Sequence, residues 1–401
     1  MTGRLALQAQ LDAAVEHRTM TMLQGLPRVG RSWLIADWMK RRADVVLRTD
    51  PTVAAGSDGV VVLDHVDHSG VASLIAAVRA AEIAGGRTRY VVAPTDLATS
   101  FALRDALAGA FETIDVMPLR PNEIEDRVTS LSAAMGPLVA TAAPTAPEPQ
   151  SVPDPGRHWL RGGFPESLDA PSDQSSLTWR RQLLGPLLER DYSRCGLLPA
   201  YPLQEVLRWV AQRNSAEMDE SISRFGKRAE LKSAIFVLEK LGLIRRLPNV
   251  AAVDHPDEPL MDKLFMRDTG LLHALLGIVT VDQLKTHKEI GASFESYAIE
   301  ALIAAAGNEC VKQFYRFDQG QGDDEIDLIL DFPAQAGRRI AIECKVSPTK
   351  RPEPGFFRAC GLMGITEQIV VHSGPDSYLD EKVSGRCQSD ASCSPLGASR
   401  V

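Results

Sequence analysis

Three short apolar runs alternate with two stretches of helical periodicity between Thr19 and Ala93, and that order leaves few folds open. Thr19-Met20-Thr21-Met22-Leu23, Gly59-Val60-Val61-Val62-Leu63 and Arg89-Tyr90-Val91-Val92-Ala93 have the length and apolar or β-branched content of buried strands. Ser32 to Arg41 and Ser69 to Ala84 read as the helices between them. Parallel neighbours need a crossover long enough to carry a helix, so strand, helix, strand in succession calls for a parallel α/β sheet.

Gly25-Leu26-Pro27-Arg28-Val29-Gly30-Arg31-Ser32 stands between the first strand and the first helix. Its spacing fits the phosphate-binding loop G-x-x-x-x-G-K-[ST], with Arg31 in the lysine position. Gly25 and Gly30 let backbone N–H groups turn toward an anion, and the helix N-terminus adds partial positive charge. Ser32 would reach Mg²⁺. Arg31 keeps the charge, but a planar fork is not equivalent to a compact ammonium. The next strand ends Leu63-Asp64-His65, and an Asp there is the usual carboxylate that orients Mg²⁺. ATP and Mg²⁺ are the cofactors this pattern calls for. The plainer alternative is an ordinary Gly-rich turn.

Charge of a different kind lies near the C-terminus. Glu325-Ile326-Asp327-Leu328-Ile329-Leu330 and Ile340-Ala341-Ile342-Glu343-Cys344-Lys345 read as buried strands, yet they carry carboxylates and an amine. Alternate side chains share a strand face, so Glu343 and Lys345 project together while Cys344 points away. Asp327 and Glu343 are hard oxygen donors suited to Mg²⁺, and Lys345 can steady negative charge on a phosphodiester. A salt-bridged sheet edge is the simpler reading of the same residues. Upstream, Gly291 to Gly307 reads as a helix that carries Glu295, and Cys310 to Phe317 leads on to the acidic turn.

The middle of the chain is helical. Pro202 to Arg213 and Arg228 to Leu241 place Leu203, Val206, Leu207 and Val210, then Leu231, Ile235, Leu238 and Leu241, at helical spacing. Leu243-Ile244-Arg245-Arg246-Leu247 alternates like a wing strand. Arg224, Lys227, Arg228 and Lys232 lie where a recognition helix would meet phosphates, although Glu220 and Glu230 dilute the charge. A solvated helix face or a protein-contact module accounts for them equally.

Composition sets bounds on these readings. A length of 401 residues allows two to four domains, and 44% hydrophobic with 24% charged residues is ordinary for a globular protein. No apolar stretch approaches the ~20 residues of a membrane span, and the N-terminus lacks signal-peptide character. Six scattered cysteines without a CxxC pair suit a reducing compartment, so a cytoplasmic protein with no membrane partner is expected. A net charge of −8 confines any DNA contact to a local basic surface.

Helix, strand, Asp strand and Glu-x-Lys strand in this order resemble the PD-(D/E)xK nuclease superfamily. That resemblance implies Glu295 as the helix acid, Asp327 and Glu343 as metal ligands and Lys345 as the catalytic lysine. From about residue 15 to 372 the chain also resembles a large prokaryotic family. Its members join an AAA-type ATPase, a winged helix and a C-terminal domain of unknown function with a restriction-endonuclease-like core. Ile114-Asp115-Val116-Met117-Pro118-Leu119, Gly162-Gly163-Phe164-Pro165-Glu166, Glu189-Arg190-Asp191 and Asp268-Thr269-Gly270-Leu271 carry the likeness with the motifs above. It implies a P-loop NTPase domain over residues 1–139, a Pro/Ala-rich linker over 140–156 and a helical and winged-helix domain over 157–280. A nuclease-like α/β domain over 288–373 and a disordered tail over 374–401 complete the expected organisation. Family members commonly have Lys, Glu and Arg where Arg31, His65 and Ala110 stand here, so ATP binding is expected without fast turnover.

Overall fold

Five strands run parallel through the N-terminal part of the computed structural model: β1 (Met20–Gln24), β2 (Val45–Leu47), β3 (Gly59–Val66), β4 (Thr88–Pro94) and β5 (Phe111–Asp115). Their spatial order is β2-β3-β4-β1-β5. The structure describes residues 4–49, 59–85, 87–124, 155–194, 203–218, 228–251, 261–308, 310–318, 323–374 and 397–400. The expected linker, apart from Pro155 and Gly156, therefore lies outside the described residues, as does most of the tail.

The described chain divides into two units. The first comprises Met1–Val128, Gly163–Val206 and Ala229–Leu243. Met20, Met22, Val61, Leu63, Tyr90 and Val92 line one face of its sheet and pack on Val71, Leu74, Ala77, Val78 and Ala81 of the helix Val71–Ile83. Spacings of three and four put those helix residues on one stripe, which is what a sheet face can bury. The helix Arg31–Met39 buries Leu34, Ile35 and Trp38. The helix Leu5–His17 and strand β2 were not read from sequence: β2 has three residues and is half exposed, so no periodicity marks it. Arg4 is buried beside the loop, donating to Glu123 Oε1 at 3.0 Å, to the Val29 carbonyl at 3.1 Å and to the Met117 carbonyl.

The second unit comprises Thr129–Gly162, Leu207–Arg228 and Ile244–Val401. It holds a small antiparallel sheet of β6 (Ala216–Glu217), β7 (Ile244–Leu247) and β8 (Lys263–Met266), with β8 central. Its main sheet is β9 (Val311–Asp318), β10 (Asp323–Phe332), β11 (Arg338–Lys345), β12 (Glu367–His372) and β13 (Gly397–Arg400), in the order β13-β12-β11-β10-β9. The β11–β12 pair is parallel and the others antiparallel. β13 places four residues of the C-terminal segment in the sheet.

Leu328, Leu330, Ile340 and Ile342 share a core with Phe294, Ile299 and Ile303 of the helix Ile290–Ala306. Ile326, Ile329 and Ala341 pack on the other face against Phe356, Ala359 and Cys360 of the helix Pro354–Met363. The helices Leu203–Gln212 and Arg228–Lys240 agree with the sequence reading, each within two residues at its ends. No helix among the described residues is long and apolar enough to cross a membrane.

Candidate functional site

Simple alternation does not hold along β10. Ile326 pairs with Tyr315 and Ile329 with Gln313, three steps on β10 against two on β9. Asp327 and Leu328 therefore stand together opposite Phe314. A bulge of this kind re-aims one side chain at the cost of a ladder position. On the other side of β10 the ladder continues through Leu328↔Ile342, and Asp327 Oδ2 accepts the Cys344 N–H at 2.8 Å. That bond fixes the carboxylate at the end of β11 that carries Glu343 and Lys345.

Lys345 Nζ lies 2.6 Å from Glu343 Oε1. Glu343 is buried, and burial, then the charge of Asp327, pushes its carboxyl up to about 8 against the pull of Lys345. Burial likewise raises Asp327, with Lys263 opposing. Burial and then neighbouring carboxylates push the Cys344 thiol far above its usual range, which favours the neutral thiol.

The structure joins Glu295 to Asp327 through a residue that sequence reasoning missed. Lys263 opens β8, and its side chain is 3% exposed. Its Nζ donates to Glu325 Oε1 at 2.5 Å and to Glu295 Oε1 at 3.2 Å, and lies 3.8 Å from Asp327 Oδ1. The ammonium also sits 5.2 Å from the centre of the Phe314 ring. Burial works against its charge, but Glu295, Asp327 and Glu325 outweigh it and hold Lys263 above the ordinary lysine range. Burial pushes Glu295 up to about 8 even so. The sequence signal was slight: a lysine heading the apolar run Lys263-Leu264-Phe265-Met266, with no local motif around it. Glu325 was visible only as the first residue of its strand.

Among the described residues, no three His, Cys, Asp or Glu side chains stand together as a metal site on their own. The donor set nevertheless fits one Mg²⁺. Mg²⁺ is commonly held by one or two carboxylates, with water and substrate phosphate completing its shell. Glu295, Glu325 and Asp327 face Lys263, Glu343 pairs with Lys345, and the charge of Arg316 also acts on Glu325. Asp327 and Glu343 would hold the ion. Glu295 and Glu325 are engaged by Lys263.

In the first unit, the phosphate-type loop lies between β1 and the helix Arg31–Met39, at the carboxyl edge of the sheet where open parallel sheets bind ligands. Gly30 is the residue before the helix, with φ +93°, a conformation in which glycine is at ease. Gly25 has no room for a side chain: a Cβ would come 2.2 Å from the Val116 carbonyl oxygen. Gly25 and Arg31 line a recess with Gln24, Thr95, Asp96 and Lys240. Arg31 Nη1 donates to the Pro94 carbonyl at 2.6 Å, so its guanidinium is tied to the end of β4. Ser32 follows in the first turn of the helix. Asp64 stands two residues before the end of β3, where the pairing with β4 is irregular, and is engaged by its neighbour: Oδ1 accepts the His65 N–H at 2.9 Å, and Oδ2 lies 3.2 Å from His65 Nδ1.

Of the basic residues in the middle segment, Lys232 is exposed on the helix Arg228–Lys240, which Arg228 begins. Arg224 and Lys227 lie outside the described residues.

Two family models match the chain, each a Domain of unknown function: DUF8612 over residues 153–282 and DUF4143 over residues 290–385. Uncharacterized proteins of Mycobacterium bovis and Mycobacterium tuberculosis are each 30% identical over 228 residues, 55% of this chain and 50% of theirs. The chain thus spans about half the length of the curated relatives it matches. Among solved structures, the Walker-type ATPase of Pyrococcus abyssi aligns with 69% of this chain and 96% of its own at 12% identity, TM-score 0.43. A signal transduction ATPase with numerous domains and a tetratricopeptide repeat sensor, from Pyrococcus horikoshii, aligns with 75% of this chain and 48% of its own at 11% identity, TM-score 0.26.

Proposed function

We propose that this is a nucleotide-binding protein whose C-terminal α/β domain, of the PD-(D/E)xK nuclease type, hydrolyses phosphodiesters in DNA. The observation that carries this reading is the junction of β10 and β11, where Asp327, anchored on the Cys344 N–H, lies beside the Glu343–Lys345 pair. Asp327 and Glu343 would hold Mg²⁺, which would supply Lewis-acid polarisation of the phosphoryl group. Lys345 provides positive charge for the phosphoryl oxygens as the new bond forms. Water oxygen bonds to phosphorus, the bond from phosphorus to one sugar oxygen breaks, and the proton lost by water balances the one the leaving oxygen takes up. Glu295 acts at one remove, by holding Lys263 against Asp327.

The N-terminal loop binds ATP through Gly25, Gly30, Arg31 and Ser32, with Asp64 orienting Mg²⁺, and turnover is slow because Arg31 and Asp64 are engaged elsewhere. Nucleotide then serves as a control on the C-terminal domain. DNA is held by a winged helix over the middle segment, through Arg224, Lys227, Arg228 and Lys232.

The near-complete burial of Lys263 among the acids favours a second reading, a nucleotide-binding switch that holds DNA or a protein partner without cutting. Calorimetric titration of the full chain with Mn²⁺ tests the preferred reading. Wild type takes up the ion, and Asp327→Ala with Glu343→Ala abolishes that uptake. Equal binding by wild type and the double variant sinks it.

A further inference from the structure

We infer that Lys263 is a tethered cation in the place of a second metal ion, so that the C-terminal site is built for one divalent cation and not two. Sites with paired metals bridge ions about 3.5–4 Å apart with shared carboxylates. Here Lys263 already draws in Glu325, Glu295 and Asp327, at 2.5, 3.2 and 3.8 Å. One oxygen from each of three carboxylates, carried by a helix and a strand, thus faces a single ammonium.

Several features keep the ammonium there. Exposed lysines carry their charge out to water, whereas the Lys263 side chain is 3% exposed. Its backbone is paired on both sides, with Glu217 of β6 and Leu247 of β7, which fixes the point from which the side chain reaches the acids. The Phe314 ring closes one side at 5.2 Å and faces the cation with its π-cloud. A compact ammonium fits where a planar guanidinium would splay the acids. Lys263 is thus a positioning residue: it commits Glu295 and Glu325, sets Asp327 from one side while the Cys344 N–H sets it from the other, and leaves Asp327 and Glu343 for one ion. The inference rests on the reading of Asp327 and Glu343 as cation ligands, and the test separates the two.

The full chain is titrated with Mn²⁺ and followed by calorimetry and by the electron paramagnetic resonance of the bound ion. Wild type should bind one magnetically isolated Mn²⁺, lost in Asp327→Asn. Lys263→Met should bind two, with a spin-coupled spectrum, and should gain thermal stability from Mn²⁺ well beyond the gain in wild type. If wild type binds one ion and Lys263→Met binds it alike, with no coupled signal, the inference fails and the ligand reading stands. If no Mn²⁺ in wild type depends on Asp327, the ligand reading fails and takes the inference with it. Should Lys263→Met not fold even with Mn²⁺ present, Glu295→Gln decides. Glu295 bound to Lys263 predicts Mn²⁺ affinity within about threefold of wild type, and a loss beyond about tenfold would put Glu295 on the metal and overturn the inference.

Discussion

Lys345 Nζ and Glu343 Oε1 meet at 2.6 Å although both residues project from one strand, two positions apart. The pair keeps a positive charge at the strand end where Asp327 is anchored. Lys345→Ala should therefore lower phosphodiester cleavage by about 10²–10³ in single turnover while the chain stays folded, the scale expected for a group that stabilises developing charge. Lys345→Arg should not restore it, because the fork cannot replace the point charge. Cleavage within threefold of wild type in the Ala variant would remove Lys345 from the chemistry.

Stability without a divalent ion should fall as pH rises. Burial holds the Glu295 and Glu343 carboxyls at about 8, above the ordinary 4.5. Groups raised in the folded state contribute stability that is complete below about pH 4.5 and lost as pH passes through about 8. The midpoint of thermal unfolding should decline across that window, and Glu343→Gln should flatten the decline. A flat profile in wild type, or a steeper one in the variant, would contradict the burial given to these acids.

The strands and helices that frame both sites were legible because each carries its own period. β1, β3, β4, β10 and β11 stand where short apolar runs placed them, and the helices Arg31–Met39 and Ile290–Ala306 lie between the expected breaks. The partners of the charges were not legible. Lys263 meets Glu325 across 62 residues of chain, and no spacing rule reaches that far. The bulge that aligns Asp327 with Leu328 is a property of pairing with β9, invisible within β10. Arg31 could be read as a substitution for lysine, yet its bond to Pro94 depends on the neighbouring strand.

That bond sets the expectation for nucleotide. A guanidinium tied to the Pro94 carbonyl at 2.6 Å must be pulled away, at least in part, to serve a phosphate. Arg31→Lys should tighten ATP binding by roughly tenfold, about 1.4 kcal/mol, in an equilibrium titration. Adding His65→Glu and Ala110→Arg should raise turnover. A brisk wild-type ATPase that these changes abolish would show that the loop works as it stands.

Gly25→Ala should be costly where other loop changes are mild. Its Cβ would press on the Val116 carbonyl oxygen at 2.2 Å, so the loop or the chain after β5 has to move. Overpacking of that kind costs about 1–3 kcal/mol, and chemical denaturation should show it. An unchanged midpoint would mean that the loop shifts freely, and the close approach would then carry no weight.

DNA affinity should rest on the middle segment and not on net charge. Replacing Arg224, Lys227, Arg228 and Lys232 by Ala should weaken duplex binding, with the slope of log K against log salt falling by roughly one unit for each phosphate that is no longer neutralised. Equal affinity and slope in the variant would make that segment a structural or protein-contact element.

The most direct measurement is strand cleavage by the full chain in Mg²⁺ or Mn²⁺, on linear, circular and branched DNA, beside Asp327→Ala. Asp327 is the carboxylate on which the bulge, the Cys344 N–H and the Lys263 ammonium converge. Wild type should cut in an ion-dependent manner that chelation stops and Asp327→Ala loses. Intact DNA after incubation with wild type, or equal cutting by the variant, would contradict cleavage at this site.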